Sequence, residues 1–321
     1  ILYLILLELI FFLLPTSEVF SRNEVNNENR LLSYKENEDI IFSNKWNFKN
    51  IVNKKTNNYG FINSIDYKKD GNPDLMVIGD SYVDAYQVNN KDSITEQLSN
   101  KIKNFNVYSL SMSGSALSQY LYYAEFAEIN FNPKEYLFLI VHNDFDESIC
   151  KYKKKEGAHC FNEYWELELI DFNGYGFWKS LMRKSSVIRY LILNVRINYH
   201  KILINLNIRK KSENINSSTD YNQKVDVSKF MINKFFMNLR KIIPDKKITL
   251  MLDGDRMPIY IENFKKDQFF NTMKDEVKNK SSLFNIEIID LDPIFRKHYE
   301  KNKKWFEIKN EGHWNKLGHT V

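Results

Sequence analysis

Leu75-Met76-Val77-Ile78-Gly79-Asp80-Ser81 is the stretch that decides how this chain reads. Four apolar residues in a row, ended by a glycine, mark a strand buried on both faces, and such strands belong to parallel sheets covered by helices. The same rhythm repeats outward from it. A helical stretch over about 93–103 puts Ile94, Leu98 and Ile102 on one face. Val107-Tyr108-Ser109-Leu110 is a second strand, followed by a Ser/Gly turn and a helix over about 116–129. A third strand, 136–141, ends in His142-Asn143-Asp144. Further along come helix 228–242, strand 248–252, helix 262–279, strand 286–289, helix 293–302 and a last helix from about Leu317. Strands alternating with helices imply right-handed crossovers and a three-layer α/β/α fold with a central parallel sheet.

Composition agrees. The chain has 321 residues, 43% of them hydrophobic, with 46 basic against 41 acidic residues and a net charge of +5. This is too apolar for a disordered chain, and only 10 glycines exclude collagen-like and glycine-linker sequences. Each glycine therefore points to a place where a side chain does not fit. The basic clusters, Lys151-Tyr152-Lys153-Lys154-Lys155 and Arg209-Lys210-Lys211, are short and read as solvated loops. No nucleic-acid partner is expected, since that would need basic residues gathered on one face.

Residues 1–14 are apolar except Glu8, and Pro15 breaks the run. A membrane span needs about 20 apolar residues, so residues 1–21 read as a secretory signal peptide or an uncleaved membrane anchor. A buried N-terminal helix is the third reading. The first residue is Ile rather than Met, so an upstream piece with the basic n-region is expected. Residues 22–70 are rich in Asn and Lys and read as an irregular lead-in. Residues 71–321 form the main domain, interrupted by a largely helical insertion at about 147–225. Within it, Val187–Ile208 mixes apolar residues with Arg189, Arg196, His200 and Lys201, which suits a packed helix, a lid or a membrane-surface helix. A polar segment, 212–222, closes the insertion.

Cys150 and Cys160 are the only cysteines, with nine residues between them. In an exported protein they would close a small disulfide loop; in a cytosolic one they would be two free thiols. Neither has metal-ligand spacing, and no metal or cofactor is expected.

In parallel sheets, ligands sit beyond the carboxyl ends of the strands. Gly79-Asp80-Ser81, the turn at Gly114, and Asn143 all fall there. A serine between a buried strand and a helix is well placed for nucleophilic attack, because the helix N-terminus favours a developing oxyanion. It needs a base, usually histidine. Of six histidines, only His313 lies in a glycine-flanked loop after the last strand–helix unit, in Glu311-Gly312-His313-Trp314-Asn315. The ordinary roles that compete are N-cap for Ser81, turn residue for Gly114, cap or turn for Asn143, and surface histidine for His313. Asp144 reads as holding its loop, and Met251–Arg256, at a strand end, as rimming the same crevice without a catalytic role, with Asp253-Gly254 as an ordinary turn.

With these segments in order, the chain resembles the SGNH (GDSL-type) hydrolases. Gly79-Asp80-Ser81-Tyr82 matches the first block of that family, Ser111-Met112-Ser113-Gly114 the second, His142-Asn143-Asp144 the third, and Glu311-Gly312-His313 with Gly318 the fourth. The resemblance spans residues 75–319 and implies an SGNH/flavodoxin-like sheet. It implies Ser81 as nucleophile and His313 as base, with an oxyanion hole made by the Ser81 and Gly114 N–H groups and the Asn143 amide. The family places an aspartate two or three residues before the histidine, where this chain has Glu311 and Asn310. Glu311 can orient the ring, and a Ser–His dyad with a backbone carbonyl as orienter is the alternative. His142 stands where many members carry a small residue, which would narrow the oxyanion site.

The activity implied is that of a serine esterase or O-acyltransferase. The expected substrate is an acylated extracytoplasmic carbohydrate or other small ester, and a membrane tether is possible. A lipid or thioester hydrolase and a catalytically silent SGNH-fold binding module are the rivals.

Overall fold

The computed structural model describes residues 2–197, 218–308 and 311–321. Its strands are β1 (Asp39–Asn44), β2 (Lys49–Lys55), β3 (Leu75–Gly79), β4 (Val107–Ser111), β5 (Glu135–Ile140), β6 (His159–Phe161), β7 (Leu167–Leu169), β8 (Lys247–Leu252) and β9 (Glu287–Asp290). Five of them form one sheet in the order β4-β3-β5-β8-β9, and every neighbouring pair is parallel. This is the three-layer architecture that the alternation implies.

β3 shows why its apolar run is continuous. Met76 and Ile78 enter one core, with Tyr120 and Leu121 of the helix Leu117–Asn130 and Phe235 and Leu239 of the helix Ser218–Ile242. Leu75 and Val77 enter the other, with Ile94, Leu291, Phe295 and Trp314. Successive strand side chains point to opposite faces, so a strand covered twice has no polar position.

The sheet reverses direction between β3 and β5. Chain order leads from β3 outward to β4, then back across to β5 and on to β8 and β9. Such a switch point opens a crevice at the carboxyl ends of its strands. Ser81 and Asn143 follow those two strands directly.

Several boundaries differ from the sequence reading. The lead-in is not irregular throughout, because β1 and β2 pair as an antiparallel hairpin. Phe20, just before that region, and Val25, Leu32 and Ile40 within it pack with Ala158 and Phe172 of the insertion in a third core. The insertion holds helices at Phe177–Lys184 and Ser186–Arg189 but also the antiparallel pair β6–β7. The helix expected at 228 begins at Ser218, and the one expected at 262 begins at Gln268, capped by the Asp267 side chain. Of the stretch 187–208, only the part to residue 197 lies among the described residues, and there the helix runs on as a π-turn, Tyr190–Asn194. Arg209-Lys210-Lys211 lies outside them.

Cys150 and Cys160 are joined by a disulfide that ties the end of the β5 loop to β6. Closing so short a loop restricts the unfolded chain by about 2–3 kcal/mol. Reduction, or the Cys150→Ser/Cys160→Ser double variant, is expected to lower unfolding stability by about that amount, read by denaturant titration with and without reductant.

Candidate active site

The chain leaves β3 in a turn too tight for a side chain: a Cβ on Gly79 would lie 2.4 Å from Val83 Cγ2. Asp80, not Ser81, caps the short helix Ser81–Asp84, its Oδ1 accepting from Tyr82 N at 3.0 Å. The Ser81 hydroxyl is thereby released from capping. It lies 2.9 Å from His313 Nε2, and Asp80 Oδ2 is a second neighbour at 3.3 Å.

The second block is held from below by the same short helix. Asp84 is fully buried and accepts from Ser111 Oγ (2.8 Å), Ser113 N (2.7 Å), Ser113 Oγ (3.1 Å) and Tyr34 OH (3.0 Å). Gly114 follows with φ +77°, a conformation that side chains resist, and its N–H meets no acceptor among the described residues. Lys155 Nζ donates to Ser113 O at 2.5 Å and lies over the Gly114 turn. Burial, with Arg22 and Lys153 nearby, lowers its pKa to about 8. The run 151–155 is therefore not simply a solvated loop: Lys153 and Lys154 pair with Glu147 and Glu168, while Lys155 turns toward the site.

At the third block, Asp144 Oδ2 accepts from Val141 N (2.8 Å) and Tyr120 OH (3.1 Å), the loop-holding role expected of it. The Asn143 amide donates to Glu147 Oε2 at 2.8 Å, which leaves its second hydrogen for another acceptor. His142 is exposed on the rim.

The fourth block is clamped on both sides of the histidine. Gly312 O accepts from Tyr82 OH (2.9 Å) and Arg256 Nη2 (2.8 Å). Trp314 Nε1 donates to Asp253 Oδ1 (3.0 Å), and Asp253 Oδ2 pairs with Arg256 at 3.3 Å. The sequence places Asp253 and Arg256 on the rim of the same crevice and gives them no catalytic role. Their position at a strand end is the local signal; Gly312 and Trp314, which they hold, lie 56 and 61 residues away.

Glu311 makes no hydrogen bond to the ring among the described residues. Its Oε1 accepts from Asn44 Nδ2 at 2.9 Å and pairs with Arg196, while its buried Oε2 has no hydrogen-bond partner among the described residues. Asn310 lies outside those residues. With burial, and with Arg256, Arg196 and His142 nearby, the His313 pKa falls to about 4. Among the described residues, no group of three or more His, Cys, Asp or Glu is arranged to hold a metal ion.

Fold and site together define an α/β protein with a hydrogen-bonded serine–histidine pair at the switch point of a parallel sheet. No family model and no curated protein matches the sequence. Solved structures that it is similar to include a member of the lipolytic protein G-D-S-L family from Veillonella parvula, with 11% identity, TM-score 0.38, and coverage of 77% of this chain and 91% of that one. An acetyl xylan esterase, AlAXEase, has 14% identity and TM-score 0.37, covering 76% and 93%. A carbohydrate esterase family 2 enzyme from Corynascus thermopiles (Myceliophthora fergusii) has 12% identity and TM-score 0.38, covering 81% and 65%.

The clamp behind His313 makes an ordered prediction. Arg256→Met strips a buried cation from Asp253 and Glu307 and should cost about 3–5 kcal/mol. Tyr82→Phe removes the hydrogen bond to Gly312 O and an acceptor of Arg256 and should cost less, about 1–3 kcal/mol. Urea melts of both variants check the order.

Proposed function

We propose that this protein is a serine-dependent ester hydrolase or O-acyltransferase of the SGNH type. The reading is carried by the 2.9 Å contact between Ser81 Oγ and His313 Nε2 at the strand ends. Ser81 attacks the ester carbonyl while His313 takes its proton. The oxyanion that forms is held by the Ser81 and Gly114 N–H groups and by the second amide hydrogen of Asn143. His313 then protonates the departing alkoxide, and water or a sugar hydroxyl releases the acyl group from Ser81. The Lys155 charge over the Gly114 turn adds to the stabilisation of negative charge.

Glu311 is the proposed electrostatic partner of His313. Its unpaired Oε2 is the oxygen free to face the ring once Oε1 is held by Asn44 and Arg196. The substrate class we propose is an acylated carbohydrate outside the cytoplasm. The disulfide supports an oxidising compartment. The polar rim of His142, Asn143 and Lys155 suits a hydroxyl-rich acceptor better than a long acyl chain. One observation favours a catalytically silent binding module instead: the Glu311 carboxylate already serves Asn44 and Arg196.

Ser81→Ala is expected to lower p-nitrophenyl acetate turnover by at least about 10³-fold without altering the melt. Asn143→Ala should cost about 10²–10³-fold in kcat if its amide serves the oxyanion. Equal turnover by the wild type and Ser81→Ala, with no labelling of Ser81 by a fluorophosphonate, would leave the binding module standing. Acetyl transfer to an oligosaccharide in competition with water then separates transferase from esterase.

The pH profile tests the electrostatics. His313 must be neutral to act as base, and the acid limb of kcat/KM reports its pKa in the free enzyme. That limb is expected near pH 4 rather than near 6.5. Arg196→Ala removes a neighbouring cation and frees Glu311, and both changes favour the imidazolium, so the limb should move to higher pH. An unmoved limb would count against both parts.

A further inference from the structure

Two helices outside the site are amphipathic the wrong way round for water. In Phe177–Lys184, the residues Phe177, Trp178, Leu181 and Met182 share one face, and that face is exposed, with both aromatics at 74%. Arg183, from the polar side, faces the protein instead. Its guanidinium lies 4.3 Å from the centre of the Tyr175 ring and donates to Phe20 O at 2.8 Å and Val19 O at 3.0 Å.

The helix Leu2–Leu13 repeats the inversion. It has no buried residue, and Leu13 is 82% exposed. Its one charge, Glu8, is turned inward, where it accepts from Ser185 Oγ (2.9 Å), Val187 N (3.2 Å) and Ser186 N. Phe11 packs on Tyr190 with ring centres 4.3 Å apart. The helix is thus fastened to the insertion by Glu8 and Phe11, with its other apolar residues left outside.

We propose that these two helices form a face that docks into the headgroup region of an anionic lipid bilayer. Charge complementarity points to lipid rather than to a second copy of the chain. The two helices carry Lys179, Arg183 and Lys184 against Glu8 alone; Glu8 and Arg183 are turned inward, which leaves the exposed Lys179 and Lys184 beside the aromatics and no outward anion. Such a face has no like-for-like electrostatic partner, and lysine is depleted from the cores of protein interfaces. Aromatics beside lysines suit the boundary between acyl chains and anionic headgroups. No helix of the described residues is long and apolar enough to cross a membrane. The helix Phe177–Lys184, at 8 residues, measures about 12 Å against a hydrocarbon core of about 30 Å, so its docking is interfacial. This inference does not depend on the chemistry proposed for Ser81.

The test is flotation of the full chain with vesicles of phosphatidylcholine and phosphatidylglycerol, beside vesicles of phosphatidylcholine alone. The wild type should float with the anionic vesicles. Phe177→Ser/Trp178→Ser changes only exposed side chains, so its melt should be unchanged while vesicle partitioning falls at least about tenfold. Lys179→Gln/Lys184→Gln should reduce binding to anionic vesicles and narrow the difference between the two lipids. Wild type that stays unbound, or a Phe177→Ser/Trp178→Ser variant that binds as well as wild type, overturns the proposal. So does a vesicle-independent dimer, seen by sedimentation, that the same double variant dissolves, since a second copy would then cover the face.

Discussion

The site depends on one constraint: β3 pairs in parallel with β4 on one side and β5 on the other. Parallel ladders set strand ends level, here Gly79 against Ser111 and Ile78 against Phe138. Three loops therefore leave the sheet at one height and from neighbouring strands. Ser81, Gly114 and Asn143, which are 33 and 29 residues apart in sequence, meet because no crossover allows them to be elsewhere. The last loop returns over the same edge, and the Gly312 carbonyl is caught there by Tyr82, one residue past the serine.

The loops share a second device. Each is closed by a buried aspartate that accepts a main-chain N–H: Asp80 from Tyr82, Asp84 from Ser113, Asp144 from Val141 and Asp253 from Gly254. A loop end buried in protein leaves its amide groups without water, and an unmet amide is costly. Aspartate is short and, when ionised, only accepts, which suits that place. Burial in turn disfavours its charge, and with Asp84 close by the Asp80 pKa is pushed well above the usual carboxylate range. The carboxylates around the serine are thus explained by loop geometry, and none of them takes the ring of His313.

These two levels differ in how far the sequence discloses them. Apolar runs such as Leu75–Ile78 need no partner to be recognised, because a strand covered on both faces has only one composition. The hairpin β1–β2 hides because only Val52 and Lys54 of β2 are buried, and one of those is a lysine, its Nζ donating to Asn90 Oδ1 at 2.9 Å. A buried lysine inverts the polar–apolar alternation by which a half-covered strand is read. Ser81 and His313 are legible from local context at each end of the chain. The clamp of Asp253 and Arg256 is not, since a turn residue and a loop carbonyl carry no mark of each other. Glu311 could be placed in the right loop from the sequence, but its direction is set by Asn44 and Arg196, from segments read as lead-in and insertion.

The cations near the site pull its chemistry in two directions. Arg196 and Arg256 stand near His313 and weaken it as a base, and burial does the same. A base of low pKa takes the serine proton less readily, yet its conjugate acid gives that proton to a leaving alkoxide more readily. In the mechanism proposed for this site, Lys155, at the Gly114 turn, would work on the other partner by favouring the anion formed when Ser81 attacks. On that proposal, the loss at the base is offset where the negative charge develops. Lys155 and Arg196 both come from the insertion, on either side of the helix Phe177–Lys184. One stretch of chain therefore supplies one helix of the outward apolar face and two of the charges that, in the proposed mechanism, set the balance between attack and release.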